Sequence, residues 1–299
     1  MQVLDISENF LALPAGLSSF ETAPVVIQSI PYEHTSSYLQ GSAKGPEAIL
    51  AASHFVEFYD EELGSETISE IGGIATLPAM EIGNKTDAEA MEFIAAQTFP
   101  LLEAGKFVVT LGAEHTITFG VLKAFVERFG NKFSILQIDA HSDLRESYHD
   151  NRFSHASVMA RCLELGVSLT QVGIRAQCKE EAEVCKNHPQ VTTIYAHEMD
   201  KKGEWLKRVM DSLHPHVYIT IDADGFDPSV MPSVGTAEPG GLSWKQGTRL
   251  LQKVCAKRKI LGFDIVELLP APHSQLTEYT CAKLLYKVLG YIGKPHTKS

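Results

Sequence analysis

Residues 133–143 read FSILQIDAHSD. The apolar run Phe133 to Ile138, preceded by a Gly-Asn-Lys turn, reads as a short buried strand. If the pleat continues past it, Asp139, His141 and Asp143 project to one side, because strand side chains alternate with period two. Three ligand-type residues then converge at the end of a buried strand. Taken singly, Asp139 reads as a cap for a following helix, His141 as a core histidine and Asp143 as a solvated carboxylate. Those separate roles leave the alternation unexplained, whereas a metal site explains it.

Strand and helix patterns alternate on either side of this stretch. Val25 to Ile30 reads as a strand, the polar loop Pro31 to Gly45 follows, and Gly45-Pro46 opens a helix with Pro in its first turn. Thr86-Asp87-Ala88-Glu89 fits a capping box ahead of a helix to about Gly105, with Pro100 as an expected kink. Phe107 to Leu111 reads as a strand and Ile117 to Phe129 as a helix stopped by Gly130, so His115 lies at a strand-to-helix junction. Helices are expected at Ala156–Leu165, Glu180–Lys186, Glu204–Leu213 and Thr277–Ile292, with strands at Leu169–Ile174, Val191–Tyr195, Val217–Ile221 and Ile260–Ile265. Ser243-Trp244-Lys245-Gln246 is a second capping box, after a Gly/Pro-rich loop that ends at Gly241. Such alternation predicts a three-layer α/β/α fold with a mainly parallel sheet, whose sites lie beyond the carboxyl ends of its strands. The chain is expected to form one domain over residues 1–299, with an irregular segment 1–24 and a dispensable tail 293–299.

The composition is that of a soluble globular protein, with 44% hydrophobic and 21% charged residues and no unbroken apolar run of membrane-spanning length. No secretory signal is apparent, so a cytoplasmic location is expected. The five cysteines, 162, 178, 185, 255 and 281, form no CxxC pair, which disfavours a disulfide framework or a thiolate zinc site. A net charge of -11 argues against a nucleic-acid partner, but does not choose a substrate.

A second ligand cluster, Asp222-Ala223-Asp224, follows the strand VYITI at 217–221. Two carboxylates on one side repel unless a cation, a proton or basic residues compensate them. An isolated DxD is often a solvated turn. Here, however, His115, Asp139, His141, Asp143, Asp222 and Asp224 all fall at expected carboxyl ends of parallel strands. Four carboxylates and two neutral imidazoles balance two divalent cations, so a two-metal centre is the economical reading. The absence of thiolates suits Mn²⁺ and tolerates Zn²⁺, Fe²⁺, Co²⁺ or Ni²⁺. Two such ions can generate hydroxide near neutral pH, making metal-assisted hydrolysis the expected reaction class.

LGAEHT at 111–116, DAHSD at 139–143 and TIDADGFDPSVMPSVGTAEPGGL at 220–242 resemble the three characteristic segments of the ureohydrolase (arginase/agmatinase) family. FDIVEL at 263–268 and the final helix extend the likeness over residues 25 to 293. The resemblance implies an arginase-like fold and a homo-oligomer, trimeric or hexameric. It also implies a binuclear manganese centre, two Mn²⁺ per chain, held by His115, Asp139, His141, Asp143, Asp222 and Asp224. By the same resemblance Asp143 hydrogen-bonds the attacking hydroxide, Glu267 binds the substrate guanidinium, and His155 carries a proton to the departing amine. Glu267 otherwise ends a strand in a surface ion pair, and His155 in SHAS otherwise caps the helix that follows. Ala113, Thr220 and Ala223 depart from residues common at their positions, but all six ligand positions are intact.

Within the family, DLRESYHDNRFSHAS at 143–157 is most like bacterial agmatinases, which makes agmatine the leading small guanidino substrate, with urea and putrescine as products. Arg145 and Arg152 in this loop keep guanidinobutyrate or another guanidino acid open if either faces the pocket. PYEHTSSYLQG at 31–41 resembles the entrance loop, in which His34 and Tyr38 read equally as substrate contacts or as structural residues. A non-catalytic binding protein on the same scaffold, and hydrolysis of another amidine or an amide, are the competing readings.

Overall fold

The computed structural model describes residues 1–199 and 203–293. Its strands are β1 (Val25–Ile30), β2 (Tyr59–Asp60), β3 (Ser65–Glu66), β4 (Ile74–Thr76), β5 (Phe107–Gly112), β6 (Ser134–Ile138), β7 (Ser168–Ile174), β8 (Val191–Tyr195), β9 (His216–Asp222) and β10 (Lys259–Val266). The helices are α1 (Ala15–Ser18), α2 (Gly45–Ser53), α3 (Thr67–Ile71), α4 (Asp87–Glu103) and α5 (Ile117–Phe129), then α6 (Val158–Glu164), α7 (Lys179–Asn187), α8 (Glu204–Ser212), α9 (Trp244–Cys255) and α10 (Leu276–Ile292). Eight strands form one parallel sheet in the order β4-β1-β5-β10-β9-β6-β7-β8, while β2 and β3 pair as a separate hairpin.

The period of two along the strands divides the core. Val25 and Ile27 of β1 face the side packed by α2, α8, α9 and α10, through residues such as Ile49, Leu206, Leu250 and Leu285. Val26 and Ile30 face the other side, packed by α4, α5 and α6 through Ile94, Phe125 and Met159. Both faces of the sheet are therefore covered, which is why its strands read as nearly continuous apolar runs. This is the expected α/β/α arrangement.

Several local expectations change. Thr86 makes no capping bond to α4. Asp87 instead takes φ +52°, donates its amide to the Tyr32 hydroxyl (3.0 Å) and accepts from Asn151 (2.7 Å), so loop contacts replace the capping box. The helix then runs through Pro100 to Glu103 without interruption. The capping box at Ser243 forms, with Gln246 reaching back to the Ser243 amide at 3.0 Å. The segment 1–24 is less irregular than expected: a 3₁₀ turn at Phe10–Ala12 and α1 bury Phe10, Leu11 and Leu13, anchored by the Thr76 and Ser53 hydroxyls. Of the tail 293–299, residues 294–299 lie outside the described residues.

The β2–β3 hairpin is fastened to α10 by a buried cation. Lys287 Nζ lies 2.8 Å from Asp60 and 2.7 Å from Glu62, and the adjacent Tyr286 hydroxyl donates to Phe58 O while accepting from the Ile68 amide. Burial pushes Asp60 up, but Lys287 and the Leu63 and Glu62 amides together hold it below the usual carboxylate range. A depressed carboxylate stabilises the fold above its unfolded value of about 3.9, and that contribution is lost as pH falls through the lowered value. We expect Lys287→Met to cost about 3 kcal/mol in urea unfolding at neutral pH by leaving Asp60 unpaired. The deficit should shrink below about pH 4, where wild type loses the same contribution; a pH-independent difference would refute the pairing.

Candidate metal centre

Strands β5, β10, β9 and β6 are neighbours in the sheet, so their carboxyl ends share one edge. That edge carries His115, Glu267, Asp222 at the last position of β9 with Asp224 just beyond it, and Asp139 to Asp143. His115 Nδ1 lies 3.1 Å from Asp139, 3.2 Å from Asp143 and 3.4 Å from Asp222. His141 Nδ1 lies 3.0 Å from Asp224 and 3.7 Å from Asp139. Two groups of donors result, His115 with Asp139 and Asp222, and His141 with Asp139 and Asp224; Asp139 belongs to both. All six residues singled out in the sequence meet here.

The route to this meeting differs from a continued pleat. Strand β6 ends at Ile138, and Asp143 takes φ +53°, so it reaches His115 from a left-handed turn rather than from an alternating extended run. The turn is held by side chains acting on backbone: His141 N donates to Asp139 Oδ1 (2.6 Å), Ala140 N to Asp224 Oδ1 (3.1 Å) and Asp224 N to Asp222 Oδ1 (2.9 Å). Oδ2 of Asp222 and of Asp224 is left facing an imidazole. Gly225 makes the close approach possible, since a Cβ there would sit 2.7 Å from Asp139 N and 2.8 Å from Ile138 C.

Hydrogen bonds around the centre determine which nitrogen of His115 can bind a cation. Thr220 donates to Asp264 Oδ1 at 2.5 Å, so its oxygen accepts from His115 Nε2 at 2.8 Å. Asp264 also accepts from Thr118 (3.0 Å) and Tyr218 (2.7 Å). In the neutral ring the proton therefore sits on Nε2, and Nδ1 is the nitrogen open to a cation. With no cation there, burial opposes a second proton, but Asp139, Asp143 and Asp222 outweigh it and favour the charged ring. Nδ1 is fully buried and no neighbouring carboxylate is aligned to hydrogen-bond with it. A nitrogen facing three carboxylate oxygens without an aligned hydrogen bond fits a cation.

The electrostatics point the same way. Burial, reinforced by the Asp139 charge, pushes Asp143 up to about 7, and burial with Asp224 raises Asp222 well above its ordinary value. Burial would lower His141, but Asp224 and Asp139 overrule it and hold the imidazole at about 12. With protons as the only counter-charge, Asp143, Asp222 and the imidazoles hold them more tightly than usual, while the two imidazoles overrule burial and keep Asp139 ionised. Divalent cations would replace those protons. His115, Asp139, His141, Asp143, Asp222 and Asp224 could hold two of them.

The cluster floors a cavity of about 230 Å³, which Asp143, Asp222, Glu267, His155, Arg145 and Tyr148 help to line. Glu267 is not in a surface ion pair. Its partly buried carboxylate accepts from His115 N at 2.7 Å, its backbone takes φ +63°, and desolvation and then Glu114 hold its pKa high. His155 caps no helix: it opens a 3₁₀ turn, His155–Ser157, which Ser154 caps by accepting from Ala156 N, and Ser157 stands at the start of α6. The imidazole lies between the Thr35 and Ser37 hydroxyls, and burial, then the neighbouring imidazoles, push it down to about 4.

Arg145 reaches the cavity, but it stacks 5.0 Å over Tyr148 and lies 3.5 Å from Glu181. Arg152 pairs with Glu146 and Glu164 away from it. Ser37, rather than His34 or the 77% exposed Tyr38, represents the entrance loop in the lining. Sequence reasoning missed Thr220, Asp264, Gln137 and Thr35 as supports. Asp264 and Gln137, polar residues inside apolar strands, carried the readable signal.

Residues 23–290 match the arginase family. An N(1)-aminopropylagmatine ureohydrolase of Synechocystis sp. is 40% identical, covering 95% of this chain and 94% of its own. An agmatinase of Bacillus anthracis is 33% identical over 91% of this chain and 92% of its own. Among solved structures, agmatine ureohydrolase of Thermoplasma volcanium superposes with a TM-score of 0.81 at 31% identity, covering 98% of this chain and 95% of that one.

The Thr220 bridge makes a specific prediction. Thr220→Val keeps the shape but leaves His115 Nε2 without an acceptor, and calorimetry should show divalent-ion affinity reduced roughly 10- to 100-fold. Unchanged affinity would mean that the bridge does not orient the imidazole.

Proposed function

The chain belongs to the arginase family, and from that premise we propose that it hydrolyses a guanidine with an amine tail, agmatine or its N(1)-aminopropyl extension, to urea and an amine. The coarser statement, a ureohydrolase of agmatinase-like kind, rests on the family match and on the relatives. The observation that carries the reading to chemistry is the orphaned His115 Nδ1 among Asp139, Asp143 and Asp222 at the floor of a cavity. His115, Asp139, His141, Asp143, Asp222 and Asp224 would hold two divalent ions, Mn²⁺ by preference for this oxygen- and nitrogen-rich set. Bound there, the ions supply an activated water and charge stabilisation at neutral pH.

The side chains supply the rest. Glu267, backed by the His115 amide, accepts the planar guanidinium and holds its carbon toward the centre. Asp143 accepts a hydrogen bond from the attacking water. His155, neutral at neutral pH, relays a proton to the leaving nitrogen. Guanidinium and water become urea and an alkylammonium ion, so charge is conserved. Glu267, the lining carboxylate that the two ions do not neutralise, favours a cationic guanidinium in the cavity.

Between the two tails we favour the aminopropyl extension, because the relative of that name is 40% identical and the agmatinase 33%. Guanidinobutyrate stays the second reading, since Arg145 lines the cavity, although its stacking on Tyr148 and proximity to Glu181 engage it. The same reading takes the chain as one ureohydrolase domain acting in the cytoplasm and in polyamine synthesis. No helix among the described residues is long and apolar enough to cross a membrane. Exposed Phe55 and Tyr59, 77% and 59% accessible, support assembly with further copies of the chain.

Urea release from N(1)-aminopropylagmatine, agmatine, arginine and guanidinobutyrate by the Mn²⁺-loaded chain tests the reading. The first two should be turned over fastest, and Glu267→Gln should lower kcat/KM about 100-fold, near 2.7 kcal/mol of transition-state binding. Faster turnover of arginine or guanidinobutyrate would reject the amine tail, and release from none would reject the reaction.

A further inference from the structure

The loop between β1 and α2 carries a group that the chemistry above does not use. Its backbone is folded around the Glu33 carboxylate, which accepts from the Gly41 amide (2.7 Å), the Ala43 amide (3.0 Å) and the Ser36 hydroxyl (3.0 Å). Thr35 projects from this framework toward His155. Its amide donates to Glu114 Oε2 at 2.8 Å, tying the loop to the end of β5 beside His115. Its hydroxyl accepts from the His155 amide at 3.0 Å and lies 3.1 Å from His155 Nδ1.

One residue thus holds both the backbone and one ring edge of His155. The opposite edge, Nε2, is left to Ser37 Oγ at 3.2 Å on the cavity wall. A half-turn about the Cβ–Cγ bond would put ring carbons where the two nitrogens stand, unless a partner holds one nitrogen in place. Glu114 is fully buried beneath the loop, so the anchor is fixed rather than a surface contact.

We propose that Thr35 is a positioning residue for His155, clamped by Glu114 so that the Nε2 edge of the imidazole faces the substrate. The inference rests on His155 being the proton carrier in the reading above. It does not require a particular guanidine, because the departing nitrogen is common to all of them.

The test uses the full Mn²⁺-loaded chain with agmatine and N(1)-aminopropylagmatine, comparing Thr35→Val, Thr35→Ser, His155→Ala and the Thr35→Val/His155→Ala double variant. Thr35→Val keeps the branched shape without the hydroxyl and should lower kcat roughly tenfold or more with KM within about twofold. Thr35→Ser should recover most of the rate. The double variant should be no slower than His155→Ala alone, because the clamp has nothing left to orient. Should valine disturb folding, as read by thermal melting, Thr35→Ala lacks the same hydroxyl and must show the same kcat loss. Equal losses in serine and valine, a raised KM with unchanged kcat, or additive losses in the double variant would each overturn the clamp. A slow His155→Ala beside a fast Thr35→Val overturns the Thr35 role alone. A His155→Ala chain with wild-type kcat overturns the proton-carrier reading, and the clamp with it.

Discussion

Mutual repulsion among buried carboxylates is the constraint to which the rest of this structure answers. Asp139, Asp143, Asp222 and Asp224 come together at the carboxyl ends of β6 and β9 with little water to screen them. Such charges cannot all ionise together in a low-dielectric setting without counter-charge. Two imidazoles supply part of it as protonated partners, yet His115 Nδ1 has no aligned acceptor despite three nearby oxygens. Divalent cations would resolve both the repulsion and the orphaned nitrogen.

Much of the surrounding architecture serves to hold this unfavourable arrangement in place. The parallel sheet brings four strand ends to one edge, and backbone amides of residues 140, 141 and 224 fix one oxygen of each facing carboxylate. Beneath it, Asp264 collects three hydroxyls and thereby sets the tautomer of His115. Gln137 donates to Asp139 at 2.7 Å and is itself held by Gln171, which in turn accepts from Thr193. Backbone strain collects at the same place, with Asp143 and Glu267 both at positive φ. For residues other than glycine such conformations cost of order 1 kcal/mol or more and persist where surrounding contacts over-determine them.

The legible part of the fold was the part governed by local periodicity. FSILQI, VYITI and the run at 107–111 are apolar and short because both faces of a parallel strand are covered, and each lies within a residue or two of its expected bounds. The six polar residues at their ends were legible because carboxylates and imidazoles gathered at adjoining strand termini repel one another or hold protons until a cation joins them. What escaped depends on contacts distant in sequence. The Thr86 capping box fails because Asn151 and Tyr32, far along the chain, capture Asp87. Asp143 arrives through a left-handed turn that the alternation of residues 139, 141 and 143 does not disclose. Thr35 is one hydroxyl in a polar loop, and only the fold brings it against a histidine 120 positions later.

Calorimetric titration of Mn²⁺ into chelator-treated protein, followed by a thermal melt, addresses the carboxylate cluster most directly. Two equivalents per chain, with a melting temperature that rises on binding, are the predicted result, because the ions replace protons that the buried cluster otherwise retains. A titration without binding heat, together with a melting temperature that the ion does not move, would contradict it and leave the cluster to be explained by proton sharing alone.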